Sequence, residues 1–159
     1  MNDKYKKLYS KINKILKDYT PLTVDCGVLC NCACCKGDEK TGMILFPHEK
    51  TTLNTIQRDN GDLLAVCNGT CDRNLRPLAC KIFPFFPTID EKGNIYVELD
   101  YRGFRVCPMI EHSDELLFDP KFFKAVKKVG KLLSKHDDCK DFLIKTTREI
   151  DEYSAFISE

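Results

Sequence analysis

Ten cysteines in a chain of 159 residues are the side chains best suited to do chemistry. Five fall between positions 26 and 35, and five are spread from 67 to 139: Cys26, Cys30, Cys32, Cys34, Cys35, Cys67, Cys71, Cys80, Cys107 and Cys139. Thiolates bind zinc and iron strongly because they are soft donors that lose their proton on coordination. The same density in an exported protein would indicate disulfides. The cysteines therefore predict either bound metal or a disulfide framework.

The N-terminal residues favour metal over disulfides. A secretory signal needs an unbroken apolar stretch, and here lysines recur up to Lys17. No run approaches the ~18 apolar residues of a membrane span. We therefore expect a cytoplasmic protein that makes no membrane contact and whose thiols stay reduced.

The spacing of the cysteines suits chelation. Three pairs have three residues between their members: Cys26/Cys30, Cys30/Cys34 and Cys67/Cys71. Such short spacing lets both sulfurs reach one tetrahedral ion. Cys34 and Cys35 are adjacent, and because neighbouring side chains tend to point apart, such a pair suits two metals or a multi-iron cluster. Eight thiolates suffice for two four-sulfur sites or one complex cluster, and the choice between zinc and iron–sulfur stays open.

Other potential ligands have simpler interpretations. Cys139 lies in a predicted helix far from the rest and is expected to be a small buried hydrophobe. Cys32 is left out of the ligand set. His48, His112 and His136 each stand alone in a polar segment and are interpreted as surface histidines. No phosphate loop, paired-carboxylate signature or Ser-His-Asp pattern is present, so no catalytic residue is assigned.

The elements around the cysteines predict an α+β fold in one small domain spanning 1–159. An amphipathic helix is expected over 3–19, and helices over 120–157 begin at an Asp119-Pro120 cap. Between them, the irregular metal-organised centre carries short strands and a β-hairpin whose turn contains Gly93.

Further local predictions fill in the centre and the last helix. Strands are expected at 43–46 and 63–66, with a short helix from Pro47 to about Gln57. The residues of the last helix expected to face inward are Phe142, Leu143, Ile150, Tyr153 and Phe156.

Charge limits the partners. The chain has 25 basic and 24 acidic residues, which argues against a broad nucleic-acid surface. The lysines of the first helix are interpreted as a solvated face. A protein partner stays open, with nothing in the sequence to identify it.

Five motifs together resemble the YkgJ-type cysteine-cluster proteins, which are described as zinc- or iron-chelating domains and are widespread in bacteria. The motifs are Cys26-Gly-Val-Leu-Cys30, Cys34-Cys35-Lys-Gly-Asp-Glu, Gly42-Met-Ile-Leu-Phe-Pro, Cys67-Asn-Gly-Thr-Cys71-Asp-Arg and Arg76-Pro-Leu-Ala-Cys80-Lys-Ile-Phe-Pro84. The resemblance covers roughly 25–109. It is closest to clostridial-type members, which also carry a Cys-Pro, here Cys107-Pro108.

The resemblance implies a set of eight metal-binding cysteines: Cys26, Cys30, Cys34, Cys35, Cys67, Cys71, Cys80 and Cys107. The chain departs from the family pattern at Cys32, and it lacks the shorter Cys-x-x-Cys-x-x-Cys-Cys loop common in the family. Arg76 belongs to the family's Arg-Pro-x-x-Cys arrangement. Its side chain is expected either to hydrogen-bond thiolates or to pair with an aspartate such as Asp72.

Three functions are compatible with the sequence. The first is a metal- or iron–sulfur-binding protein of redox or metal handling. The second is a metal-stapled scaffold that binds another protein. The third is an enzyme, because similar clusters occur in flagellin lysine methylases, although this chain shows no cofactor-binding unit.

Overall fold

Helices at both ends of the chain enclose a small β-structure in the computed structural model, which describes residues 3–158. The α-helices are α1 Asp3–Leu16, α2 Gly27–Cys30, α3 Leu78–Ile82, α4 Pro108–Glu111, α5 Pro120–Leu133 and α6 Asp137–Ile157. The strands are β1 Met43–Ile44, β2 Asn54–Gln57, β3 Leu63–Val66, β4 Phe85–Ile89 and β5 Ile95–Leu99. Short 3-10 turns lie at Ala33–Cys35, Arg73–Leu75, Tyr101–Gly103 and Ser113–Glu115.

The main hydrophobic core lies between the long helices and the hairpin formed by β4 and β5. The strands pair antiparallel from Phe85 opposite Leu99 to Ile89 opposite Ile95. α1 packs on α5, and both α5 and α6 pack on the hairpin. Core side chains with 0 % exposure include Ile12, Phe122, Val126, Val129, Leu133, Cys139 and Leu143. The cysteine-rich region packs against this core through α3.

A second, three-stranded antiparallel sheet has the order β1-β3-β2. Met43 lies opposite Ala65, and Asn54 lies opposite Val66 on the other side of β3. β3 therefore carries the chain directly to Cys67.

Helix α5 begins as its sequence predicts. The side chain of Asp119 accepts a hydrogen bond from the Lys121 backbone N–H at 2.8 Å, and Pro120 occupies the first turn. The proline has no N–H to leave unpaired there.

The α+β class, the flanking helices and the hairpin are confirmed. The helix predicted from Pro47 to Gln57 is wrong, because its second half is strand β2. The β-branched Thr55 and Ile56 suit a pleated strand that is hydrogen-bonded to β3, whereas a short isolated helix is only marginally stable. The first helix also ends at Leu16, before the predicted position 19.

The inward face of α6 is only partly as predicted. Leu143 and Ile150 are buried, whereas Tyr153 is 51 % and Phe156 is 76 % exposed. Among the described residues, no helix combines the length and apolar character that a membrane crossing requires.

Candidate metal centre

One cavity of about 60 Å³ gathers nine of the ten cysteines. They include the eight predicted ligands: Cys26, Cys30, Cys34, Cys35, Cys67, Cys71, Cys80 and Cys107. Cys32 is the ninth, so the sequence prediction that left it out missed a cavity-lining residue. Cys139 lies apart in the main core with 0 % exposure, as predicted.

The first cysteine loop folds back on itself through two left-handed residues. Cys26 precedes α2, and Asn31 and Cys32 follow it with φ of 50° and 55°. Asparagine tolerates this conformation better than most residues, but cysteine does not. The Cys32 N–H donates to the Gly27 carbonyl at 3.1 Å, and a Cβ at Gly27 would lie 2.8 Å from the Cys32 sulfur. A glycine at position 27 therefore lets the loop close tightly.

The second cysteine loop is joined to the first by backbone contacts. Gly37 donates its N–H to the Cys67 carbonyl at 2.9 Å, and Lys36 forms a β-bridge with Asn68. A Cβ at Gly37 would lie 2.7 Å from the Thr41 carbonyl oxygen, so this close approach requires glycine. These contacts connect the segment after Cys35 to the segment that begins at Cys67.

Cys80 is positioned by α3, whose first turn is held by a distant carboxylate. Glu49 accepts hydrogen bonds from the backbone N–H of Leu78 at 2.6 Å and of Phe46 at 3.2 Å. Leu78 and Ile82 anchor α3 in the core, with 1 % exposure each, while Cys80 lines the cavity. The sequence gives no signal for the role of Glu49, because its partner lies 29 residues away.

Cys107 closes the cavity from the start of α4. It precedes Pro108 and is 5 % exposed. It belongs to a small apolar cluster with Leu22, against which Cys26 packs. This cluster brings together thiols that are 81 positions apart in the sequence.

Electrostatic interactions place four of the thiols in a first group. Burial, and then the charge of Cys30, raises the pKa of Cys26. Burial, with smaller effects from the charges of Cys26 and Cys30, raises the pKa of Cys107 to about 11. The pKa of Cys34 is also raised, first by burial, then by Cys35, and then by Cys26 and Cys30. We call these four residues the first thiol group: Cys26, Cys30, Cys34 and Cys107.

The other four predicted ligands form a second thiol group: Cys35, Cys67, Cys71 and Cys80. Burial raises the pKa of Cys80 to about 12, and the charges of Cys35, Cys71 and Cys67 add to it. Burial also raises the pKa of Cys35, while a hydrogen bond with Cys34 and the charge of Arg76 lower it and the charges of Cys67 and Cys71 raise it. Cys34 and Cys35 also interact with each other, so the two groups meet at this adjacent pair, and each residue is assigned by its other thiol partners.

Arg76 contacts the second thiol group directly. Its Nε donates to the Cys71 sulfur at 3.3 Å. Asp72, the alternative partner predicted from sequence, instead accepts from the Asn74 backbone N–H at 2.8 Å. Of the two interpretations of Arg76, the structure supports the contact with sulfur.

The thiols share a cavity but are not already clustered as ligands. All ten cysteines, which the structure describes in full, are free thiols. Within residues 3–158, no three His, Cys, Asp or Glu side chains are positioned to hold a metal ion. The sulfurs line the walls of the cavity.

The three histidines stay outside this cavity. His48 and His112 are exposed, as predicted for surface histidines. His48 stacks on Tyr5 and pairs with Asp138 at 2.8 Å. His136 differs from the prediction because it is half-buried, and its Nδ1 has no hydrogen-bond partner among the described residues.

Comparison with protein-family models, with curated proteins and with solved structures finds no match to this chain.

Proposed function

We propose that this is a cytoplasmic metal-binding protein of redox or metal handling, which holds zinc or an iron–sulfur cluster through eight cysteine thiolates. The observation that supports this proposal is the convergence of nine free thiols on one cavity from separate parts of the chain. Cys26 to Cys35, Cys67 to Cys80 and Cys107 come from three separate segments of the chain. The YkgJ-type motifs support the same eight ligands, and we propose membership of that family.

The electrostatics of the cavity fit a cation. Thiols held at raised pKa by burial are costly to ionise without a compensating charge. A bound metal supplies that charge, so coordination and deprotonation occur together. Arg76 adds a fixed positive charge beside Cys71 and would stabilise the thiolate form of the second thiol group.

The two thiol groups favour two four-sulfur sites over one larger cluster. Each group holds four cysteines, the number that a tetrahedral thiolate site uses. Cys34 and Cys35 would turn their side chains to different ions, which suits neighbouring residues. Rotation about χ1 moves a cysteine sulfur between staggered positions, so side-chain rotation would bring the wall thiols onto an ion.

A metal-stapled scaffold is the second candidate, and one observation favours it. Val24, Val28 and Leu29 are 61 %, 85 % and 57 % exposed around α2, beside the cysteine cavity. Clusters of exposed apolar side chains often contact a protein partner. In this case the metal would be structural zinc.

Anaerobic purification followed by elemental analysis and absorption spectroscopy tests the proposal. Two zinc ions per chain in a colourless protein would favour the scaffold, and a brown protein containing iron and sulfide would favour redox chemistry. A Cys139→Ala variant should carry the same metal as the wild type, since this residue lies outside the cavity. A wild-type chain that binds neither metal after reconstitution with thiols reduced would refute metal binding.

A further inference from the structure

A second groove, of about 490 Å³, runs between the C-terminal half of α1 and the cysteine loops. Five of its lining residues carry a positive side chain: Lys14, Lys17, Arg73, Arg76 and Lys81. Asp25 is its one acidic lining residue within the described chain. The groove therefore carries a net charge of four positive units apart from its thiols, in a protein whose overall charge is +1.

The cations of the groove form few close ion pairs, although the charge of Glu49 acts on Lys81 from outside the groove. Asp25 pairs with Arg73 only at 4.0 Å. The Lys81 ammonium donates to the Asn13 side chain at 2.7 Å and to the Asn74 carbonyl at 3.1 Å, both of them neutral. The side chains of Lys14 and Lys17 form no hydrogen bond or ion pair with any residue in the described range 3–158. A concentration of unpaired charge in a concave site attracts anions.

The thiol centre does not account for all of these cations. Arg76 contacts Cys71, so its charge serves the second thiol group. Lys14 lies in the last turn of α1 and Lys17 follows its end, and neither is among the main charges that shift the pKa of Cys26 or Cys80. The dipole of α1 favours a cation in its last turn, but it does not place Arg73 and Lys81 across the groove.

We propose that this groove binds a small oxyanion that carries two or more negative charges, either a di- or tricarboxylate or a phosphate compound. Arginine forks and lysine ammonium groups are the side chains that bind such groups. The groove also offers Ser10 and Asn13 as neutral hydrogen-bonding groups and Phe83 as an apolar wall. Its volume lies within the range of roughly 300–1,000 Å³ found for small-molecule sites.

The position of the groove connects the anion to the thiol centre. The groove and the cysteine cavity share Cys26, Cys80 and Arg76 as lining residues. Cys26 belongs to the first thiol group and Cys80 to the second, so a bound anion would lie beside both. The presence of a metal in the thiol centre rests on the proposed function, whereas the anion site rests on the charges of the groove.

Calorimetric titration of the full, metal-reconstituted chain tests the proposal, with inorganic phosphate and citrate as probes and chloride at matched ionic strength as the blank. The test variant is Lys14→Gln/Lys17→Gln. The control is Lys6→Gln/Lys7→Gln, which removes two exposed lysines of α1 that lie outside the groove. At least one oxyanion should bind the wild type more tightly than chloride. The test variant should weaken that binding by about fivefold, the control by less than twofold.

The two probes distinguish the sources of the oxyanion. Tighter citrate binding would assign the groove to carboxylates, and tighter phosphate binding would assign it to phosphate compounds. No binding of either probe, or equal weakening in the two double variants, would overturn the inference. Metal content measured on the same samples keeps the proposals separate, because a chain without metal that still binds the anion refutes only the proposed function.

Discussion

The guanidinium Nε of Arg76 lies 3.3 Å from the sulfur of Cys71 and donates a hydrogen bond to it. Both residues are half-buried, and the arginine stands between the second cysteine loop and α3. A cation in this position offsets the negative charge that thiolates bring to a metal site. The contact therefore predicts a measurable role for Arg76 in metal retention.

Arg76→Gln should weaken metal binding by about tenfold, in keeping with the effect of removing a group that hydrogen-bonds a ligand. The metal affinity of Arg76→Lys should lie between those of the wild type and Arg76→Gln, because lysine retains the charge but loses the planar donor geometry. Competition with a chelator measures the change. Arg148→Gln removes the same charge from an exposed position on α6 and should match the wild type. Equal metal affinity in Arg76→Gln and Arg148→Gln would rule out this role.

We predict that Glu49 stabilises the position of α3, and therefore of Cys80. Its two carboxylate oxygens each accept one backbone hydrogen bond, from Leu78 and from Phe46. Glu49→Gln leaves a single acceptor oxygen for these two donors, so one N–H loses its partner. We expect a loss of about 1–3 kcal/mol of unfolding free energy at pH 5, where the folded chain keeps Glu49 protonated, and a smaller loss at pH 7.5, both measured by denaturant titration. Glu91→Gln, on the exposed hairpin turn, is the matched control and should change little.

The same carboxyl predicts a pH dependence. Burial raises the pKa of Glu49 to about 7 from an ordinary value of 4.5, although the two backbone N–H groups oppose the shift. Between about pH 4.5 and 7, the unfolded chain has lost this proton while the folded chain retains it. The contribution of Glu49 to stability should therefore fall as the pH rises through this window. Unfolding curves of wild type and Glu49→Gln, compared at pH 5 and pH 7.5, check this: a constant difference between the two proteins would contradict it.

Local signals in the sequence predict local structure well. Gly93 has φ of 85° at the turn of the confirmed hairpin, and Asp119 caps α5 as expected. Both features depend on residues close together in the chain. The eight candidate ligands were likewise found from spacing and motif, and the structure brings them to one cavity.

Long-range contacts explain where the sequence prediction falls short. Strand β2 forms because β3 pairs with it, and the β-branched Thr55 and Ile56 do not by themselves identify that partner. The periodicity of α6 continues to Phe156, but the core beneath the helix ends earlier and leaves this side chain exposed. The division of the thiols into two groups also depends on how distant loops meet, which the spacing of the cysteines does not specify.

Gly130 tests how closely α5 packs on the hairpin. A Cβ at this position would lie 2.7 Å from both the Pro87 Cβ and the Ile95 Cγ2. Gly to Ala in an exposed helix stabilises by roughly 1 kcal/mol, whereas overpacking a core costs about 1–3 kcal/mol. We expect Gly130→Ala to lower the melting temperature in spite of the gain in helix propensity. Lys131→Ala, at the next position of the helix, which is exposed, should leave the melting temperature nearly unchanged. A higher melting temperature in Gly130→Ala would contradict the prediction and show that the hairpin shifts to accommodate the methyl group.

Two double variants test whether the thiol groups are separate sites. Cys26→Ser/Cys30→Ser removes two cysteines of the first thiol group, and Cys26→Ser/Cys80→Ser removes one from each. If each group binds its own ion, the first variant should retain half of the wild-type metal, and the second should lose nearly all of it. Both remove two thiols, so a simple dependence on cysteine number predicts equal loss. Elemental analysis of reconstituted protein measures the outcome, and circular dichroism shows how much fold each variant keeps, since metal binding and folding are coupled. Equal and complete loss of metal in both variants would instead favour one cluster that requires all eight thiolates.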